Sequence, residues 1–242
     1  MSRFVLANAY CLAGEPGRAL PLAQEAAGRA RQLGDDVLLA QCLGAHAWAV
    51  GAAASGPVLA EAIACTERSG DVGTRVGLHS NAGWNALERG DIPAARAHLE
   101  AAIRDAEAIG VPNPYPIENL GWVLRAEHDP GGARSRFDEA LRTGRRTGDK
   151  AFMAGPINGL ACLAADLGDW HRAAVLDGAA HALLDATGHP WEELEARYRR
   201  DSLDQVCARL GQQQFEQAHA TGMALGLGQV IDLALGEDPP GT

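Results

Sequence analysis

Residues 90–110 read Gly90-Asp91-Ile92-Pro93, then Ala94 to Ile109, then Gly110. Gly90 and Asp91 make a turn. Pro93 fits the first turn of a helix, where its missing N–H is not needed. Ala95, Leu99 and Ala102 then recur at helical spacing and define one apolar face. Gly110 closes the stretch, as glycine does where a helix ends in a left-handed residue. The segment predicts one amphipathic helix with a start signal and a stop signal.

The same design recurs along the chain. Closing glycines stand at Gly34, Gly70, Gly110, Gly148 and Gly188, with spacings of 36, 40, 38 and 40 residues. Midway breaks read Gly14-Glu15-Pro16, Ser55-Gly56-Pro57, Gly90-Asp91-Ile92-Pro93, His128-Asp129-Pro130 and Gly168-Asp169-Trp170. Helices are therefore expected to start near Pro16, Pro57, Pro93 and Pro130. Ala19, Ala95, Ala133 and Ala173 each precede the closing glycine by 15 residues, and Ala26, Ala102, Ala140 and Ala180 follow 7 later on the same face. In the second unit Ser55 replaces the first alanine. A fixed period of this size signals a repeat architecture. The reading is all-α, with five helix-turn-helix units at about 1–34, 35–70, 71–110, 111–148 and 149–189. A helical C-terminal cap follows over 190–236, and a disordered tail over 237–242.

Composition agrees. Aromatic residues are only 5% of 242, while apolar residues reach 47%, so the core must be built from alanine, leucine and valine. Alanine is the strongest helix former. The formal charge of −10 repels phosphate, which argues against direct nucleic-acid binding or attraction to anionic membranes by this segment. Cys11, Cys42, Cys65, Cys162 and Cys207 form no C-x-x-C pair, and they read as reduced, mostly buried thiols of a cytoplasmic protein. The early apolar run breaks at Asn8, unlike a signal peptide, and no run is long enough for a membrane span.

The repeat pattern resembles the tetratricopeptide family. The residues that carry the likeness are Asn119-Leu120-Gly121 followed by Ala133, Phe137 and Ala140, and Asn81-Ala82-Gly83 followed by Ala95, Leu99 and Ala102. The resemblance implies a right-handed α-solenoid whose first helices line a concave surface. In that register Gln41, Asn81 and Asn119 occupy equivalent positions, with Trp84 and Trp122 three residues after the two asparagines and Arg125 beyond Trp122. Side-chain amides both donate and accept, so a ladder of them suits an extended peptide backbone. Indoles offer flat apolar contact area. The same asparagines and tryptophans also suit a structural role between repeats, and sequence leaves both readings open.

Residues 169–235 also resemble the C-terminal end of large ATP-binding transcriptional regulators of the AfsR/SARP-like and LuxR-like kind. The matching run is Arg172-Ala173-Ala174-Val175-Leu176-Asp177-Gly178-Ala179-Ala180-His181-Ala182-Leu183, then Phe215, then Val230 to Leu235. The resemblance implies a sensor or scaffold arm that binds protein, peptide or effector. A free-standing adaptor unrelated to transcription is the competing expectation.

Chemistry-bearing motifs are missing. The chain has no G-x-x-x-x-G-K-[ST], no G-x-S-x-G and no H-E-x-x-H. No catalytic residue, metal ligand set or cofactor is expected. Glu127-His128-Asp129 sits in a turn, where neighbours rarely point at one ion. His46 and His79, on successive first helices, lack further ligands for zinc. At the N-terminal end, Phe4, Val5 and Tyr10 are expected on an uncovered face that self-associates or continues into a larger protein.

Overall fold

The computed structural model describes residues 3–188 and 191–236. The tail at 237–242 lies outside them. The described residues form thirteen helices and no strand. They are α1 Arg3–Leu12, α2 Pro16–Leu33, α3 Asp36–Val50, α4 Gly56–Ser69, α5 Val72–Glu88, α6 Ile92–Ala108, α7 Pro114–Ala126, α8 Pro130–Thr147, α9 Lys150–Asp166, α10 Trp170–Thr187, α11 Glu193–Leu210, α12 Gln212–Met223 and α13 Leu227–Leu235. The protein is all-α. The starts expected at Pro16, Pro57, Pro93 and Pro130 fall at Pro16, Gly56, Ile92 and Pro130. No described helix is long and apolar enough to cross a membrane.

Local chemistry explains these boundaries. The five closing glycines all adopt left-handed φ, between 66° and 73°. Asp35, Asp71, Asp91, Asp129, Asp149 and Asp169 each accept a hydrogen bond from a backbone N–H in the first turn of the helix that follows, at 2.9–3.2 Å. Each bond satisfies a donor that has no partner within the helix. His128 departs from the glycine pattern. It holds φ of 60° at the break where the other units carry Gly14, Gly90 and Gly168. Glu127-His128-Asp129 is thus a left-handed turn followed by a cap.

The chain divides into two compact units, Met1–Asn119 and Leu120–Thr242. In the first, each helix from α1 to α5 packs on its successor, and α3 also touches α1 and α5. Ala19 and Ala95 are fully buried, as is Ser55 in the equivalent place. Ser55 tolerates burial because its hydroxyl accepts from Asn85 Nδ2 at 2.8 Å and donates to the Ala52 carbonyl at 3.2 Å. Gly83 of α5 leaves room for Leu99 of α6: a Cβ there would lie 2.5 Å from Leu99 Cγ. At the N-terminal end, Phe4 is half-buried against the core around Ala7, Ala23 and Ala45. The Tyr10 hydroxyl accepts from Arg18 at 2.5 Å, with the guanidinium 4.0 Å above the ring. Both aromatic residues therefore meet other side chains of the chain while staying partly accessible, and Val5 is 46% exposed.

In the second unit Ala133, Ala140, Ala173 and Ala180 are buried in the same register. Phe137 of α8 seats its ring against Gly121 of α7 and Gly159 of α9, where added Cβ atoms would fall at 2.7 and 2.5 Å. Helix α11 packs on α9 and α10, α12 on α10 and α11, and α13 on α8 and α10. Helices α10 and α12 approach backbone to backbone. A Cβ on Gly178 would lie 2.1 Å from the His219 carbonyl oxygen, and one on Gly222 would lie 1.9 Å from that of Val175. Arg172 donates to the Leu233 and Ala234 carbonyls at 2.7 and 3.1 Å, which satisfies the free end of α13.

Gly222→Ala should therefore force α10 and α12 apart and cost about 1–3 kcal/mol or more. Gly28→Ala, in mid-helix with nothing within 4 Å of the new Cβ, should instead gain about 0.5–1 kcal/mol. Urea unfolding of the two variants checks this contrast.

Candidate functional site

The groove residues expected from sequence separate into two environments. On α5, Asn81 is exposed and Trp84 is half-buried; on α3, which packs on α5, Gln41 is half-buried. These three side chains reach solvent. Asn119, at the end of the first unit, is also half-buried.

Trp122 is placed differently. Only 1% of it is exposed. Its ring meets Phe137 edge-on at 5.1 Å and stacks on Tyr198 of α11 at 5.2 Å, with 21° between planes. Arg125 is bonded to Asp166 at 2.6 and 2.9 Å, and its guanidinium lies 5.4 Å from the Tyr198 ring centre. Of the two roles that sequence left open for Trp122, groove or structure between repeats, its burial under α11 fits the structural one, and Arg125 beside it is likewise spent on internal contacts. Sequence missed this because Tyr198 lies 76 residues beyond Trp122, outside the period. It also missed Trp48, 47% exposed at the end of α3, because that helix is apolar on all sides.

The deepest polar assembly in the second unit centres on Asp177, 1% exposed. Its carboxylate accepts two bonds from Arg199 of α11, at 2.5 and 2.9 Å, and faces His219 Nε2 of α12 at 3.2 Å. Beside it lie Asn158, Cys162 and Ser202. A buried carboxylate persists only when paired, and this one ties α10 to both later helices. The signal was present in sequence: Asp177 is the one charged residue between Ala173 and Ala180. Complete burial pushes the Cys162 thiol up to about 11. It is held protonated at neutral pH, opposite to what an activated nucleophile requires.

In the first unit, His79 of α5 and His98 of α6 place their Nδ1 atoms 2.9 Å apart. His98 also lines a small cleft of about 80 Å3 with Leu59, Ile63, Ala82 and Arg89. Burial, then the facing His98, lowers the His79 pKa; nearby Asp105 and Glu67 oppose the shift and Arg75 adds to it. Burial, then Arg89, lowers that of His98, against Asp91. His46, which sequence weighed as a partner of His79, instead faces Gln24 at 3.4 Å. Among the described residues no group of three or more His, Cys, Asp or Glu side chains could hold a metal ion.

No protein-family model matches the chain, and no curated protein matches it.

The histidine pair makes stability pH-dependent with a definite sign. Both folded-state pKa values lie below the ordinary value of 6.5. The unfolded chain therefore takes up protons first as pH falls. The pair's contribution is intact above pH 6.5 and fades below it. The urea midpoint should drop between pH 7.5 and 5.5, and that drop should shrink in the His79→Gln/His98→Gln double variant. Because both rings are only half-buried, the slope should stay well under the ceiling of about 1.4 kcal/mol per pH unit per proton.

Proposed function

We propose that the chain is a tetratricopeptide-like right-handed α-solenoid that acts as a non-catalytic scaffold, binding an extended protein or peptide segment. Its partner face is the solvent side of α3 and α5, with Gln41, Asn81 and Trp84 as the contact residues. The observation that carries this reading is that Asn81 and Trp84 sit one helical turn apart on α5 and both reach solvent, as does Gln41 on α3, which touches α5. An amide can pair with both groups of a peptide backbone. An indole one turn away gives apolar area at low entropic cost. Trp122 and Arg125 are not part of this face, since α11 covers them.

In the same reading the chain serves as the effector-sensing or partner-binding arm of a signal-transducing transcriptional regulator. Support comes from the run Arg172 to Leu183, quoted above as the carrier of that resemblance. Three residues of the run have a defined job: Arg172 caps α13, Asp177 anchors α11 and α12, and Gly178 admits the α12 backbone. The protonated, buried Cys162 offers no support to a hydrolase.

Peptides selected from a random library on the immobilised chain supply the probe. A selected peptide should shift the Trp84 indole resonance and leave that of Trp122 in place. Trp84→Ala should weaken binding roughly tenfold or more, as loss of an aromatic anchor does, with little change in stability. Trp122→Ala should cost about 3–5 kcal/mol of stability instead. Selection of no peptide, or of peptides that bind Trp84→Ala unchanged, would refute the proposal.

A further inference from the structure

Helices α4, α5 and α6 of the first unit border the cleft of about 80 Å3 that His98 lines. Its floor is apolar: Leu59 and Ala82 are buried and Ile63 is half-buried. Arg89 stands at the exposed rim, and no acidic side chain among the described residues lines the cleft.

The arginines of this chain hold acids in one recurring way. Arg31, Arg68, Arg75, Arg125 and Arg199 each donate from Nε and Nη2 to the two oxygens of one carboxylate. That edge of the guanidinium matches a carboxylate fork to fork. On Arg89 the same edge is open. Its Nη1 donates to the Ala52 carbonyl at 2.8 Å, and Arg89 forms no ion pair among the described residues.

His98 adds a second donor. Its Nδ1 lies 2.9 Å from His79 Nδ1, so one ring of the pair must donate to the other. When His79 donates, neutral His98 carries its own proton on Nε2, the nitrogen left without a protein partner. After burial, the charge of Arg89 is what holds the His98 pKa down, and Asp91 opposes it. An anion between Arg89 and His98 relieves that repulsion.

Size and polarity specify the ligand. A water takes roughly 10–15 Å3 of such space, so the cleft holds about five or six non-hydrogen atoms. Inorganic phosphate or chloride would leave the apolar floor bare, and a long fatty chain would not fit.

We propose that this cleft binds a short-chain monocarboxylate, with its oxygens on Arg89 Nε and Nη2 and His98 Nε2 and its alkyl tail on Leu59, Ile63 and Ala82. The inference is independent of the partner face, since Gln41, Asn81 and Trp84 do not line the cleft.

Sodium butyrate titrated into the whole chain is the test, read by NMR. It should shift the His98 ring and Ile63 methyl signals saturably at millimolar concentration, and raise the midpoint of the His98 ring titration. Butyramide, which keeps the shape and lacks the charge, should bind roughly tenfold more weakly or worse, as butyrate should to Arg89→Gln. Inorganic phosphate should also bind more weakly than butyrate. Ala60→Phe, at an exposed position of the cleft wall, should block butyrate without disturbing the core. The proposal is overturned if butyrate causes no saturable shift, if butyramide or phosphate binds as well, or if folded Arg89→Gln or Ala60→Phe keeps full affinity. Should Arg89→Gln fail to fold, Ala60→Phe and the butyramide comparison decide.

Discussion

Close approach of helices through small residues is the constraint on which the rest of this structure depends. Only 5% of the chain is aromatic, so interhelical space cannot be filled by large rings. It is closed instead by alanine and glycine at fixed places. Ala19, Ala95, Ala133 and Ala173 are essentially inaccessible, and Gly83, Gly121 and Gly159 admit Leu99 and Phe137 where a methyl group would collide. Interiors packed to crystal-like density tolerate little volume change. The alanine register therefore sets the spacing of the helices, and the glycine and aspartate caps set their ends.

That constraint explains what sequence revealed. Closing glycines and first-turn prolines act over a few residues, so their effect was legible without knowledge of the fold. The alanine register was legible because it repeats. Ser55, which stands in the second unit where the others carry alanine, is a hydrogen-bonded substitute. Contacts that lie outside the period were hidden. Tyr198 reaches Trp122, Arg199 reaches Asp177, and Gly222 meets Val175, each across many residues and each from a segment that lacks the repeat. A tryptophan three residues after a conspicuous asparagine looks the same in sequence whether it faces solvent, as Trp84 partly does, or lies beneath another helix, as Trp122 does.

The two compact units distribute their polar chemistry differently. The first places a half-buried imidazole pair between α5 and α6 and leaves Asn81 and Trp84 open to solvent. The second draws its charge inward. Asp177 holds Arg199 and His219, and Arg125 holds Asp166. A buried charge pair contributes specificity of arrangement more reliably than net stability, since desolvation offsets much of its attraction. Here it fixes which face of α11 and α12 meets α10, a choice that an alanine surface alone would leave loose.

Enlarging one seam alanine tests the central claim most directly. Ala95 is fully buried against α5 and Ala97, two residues later on α6, is exposed. Unfolding free energies of Ala95→Leu and Ala97→Leu, measured in urea under one set of conditions, separate spacing from hydrophobicity. The account predicts a loss of about 1–3 kcal/mol or more for Ala95→Leu and a change within about 0.5 kcal/mol for Ala97→Leu. Equal tolerance of leucine at both positions would contradict it.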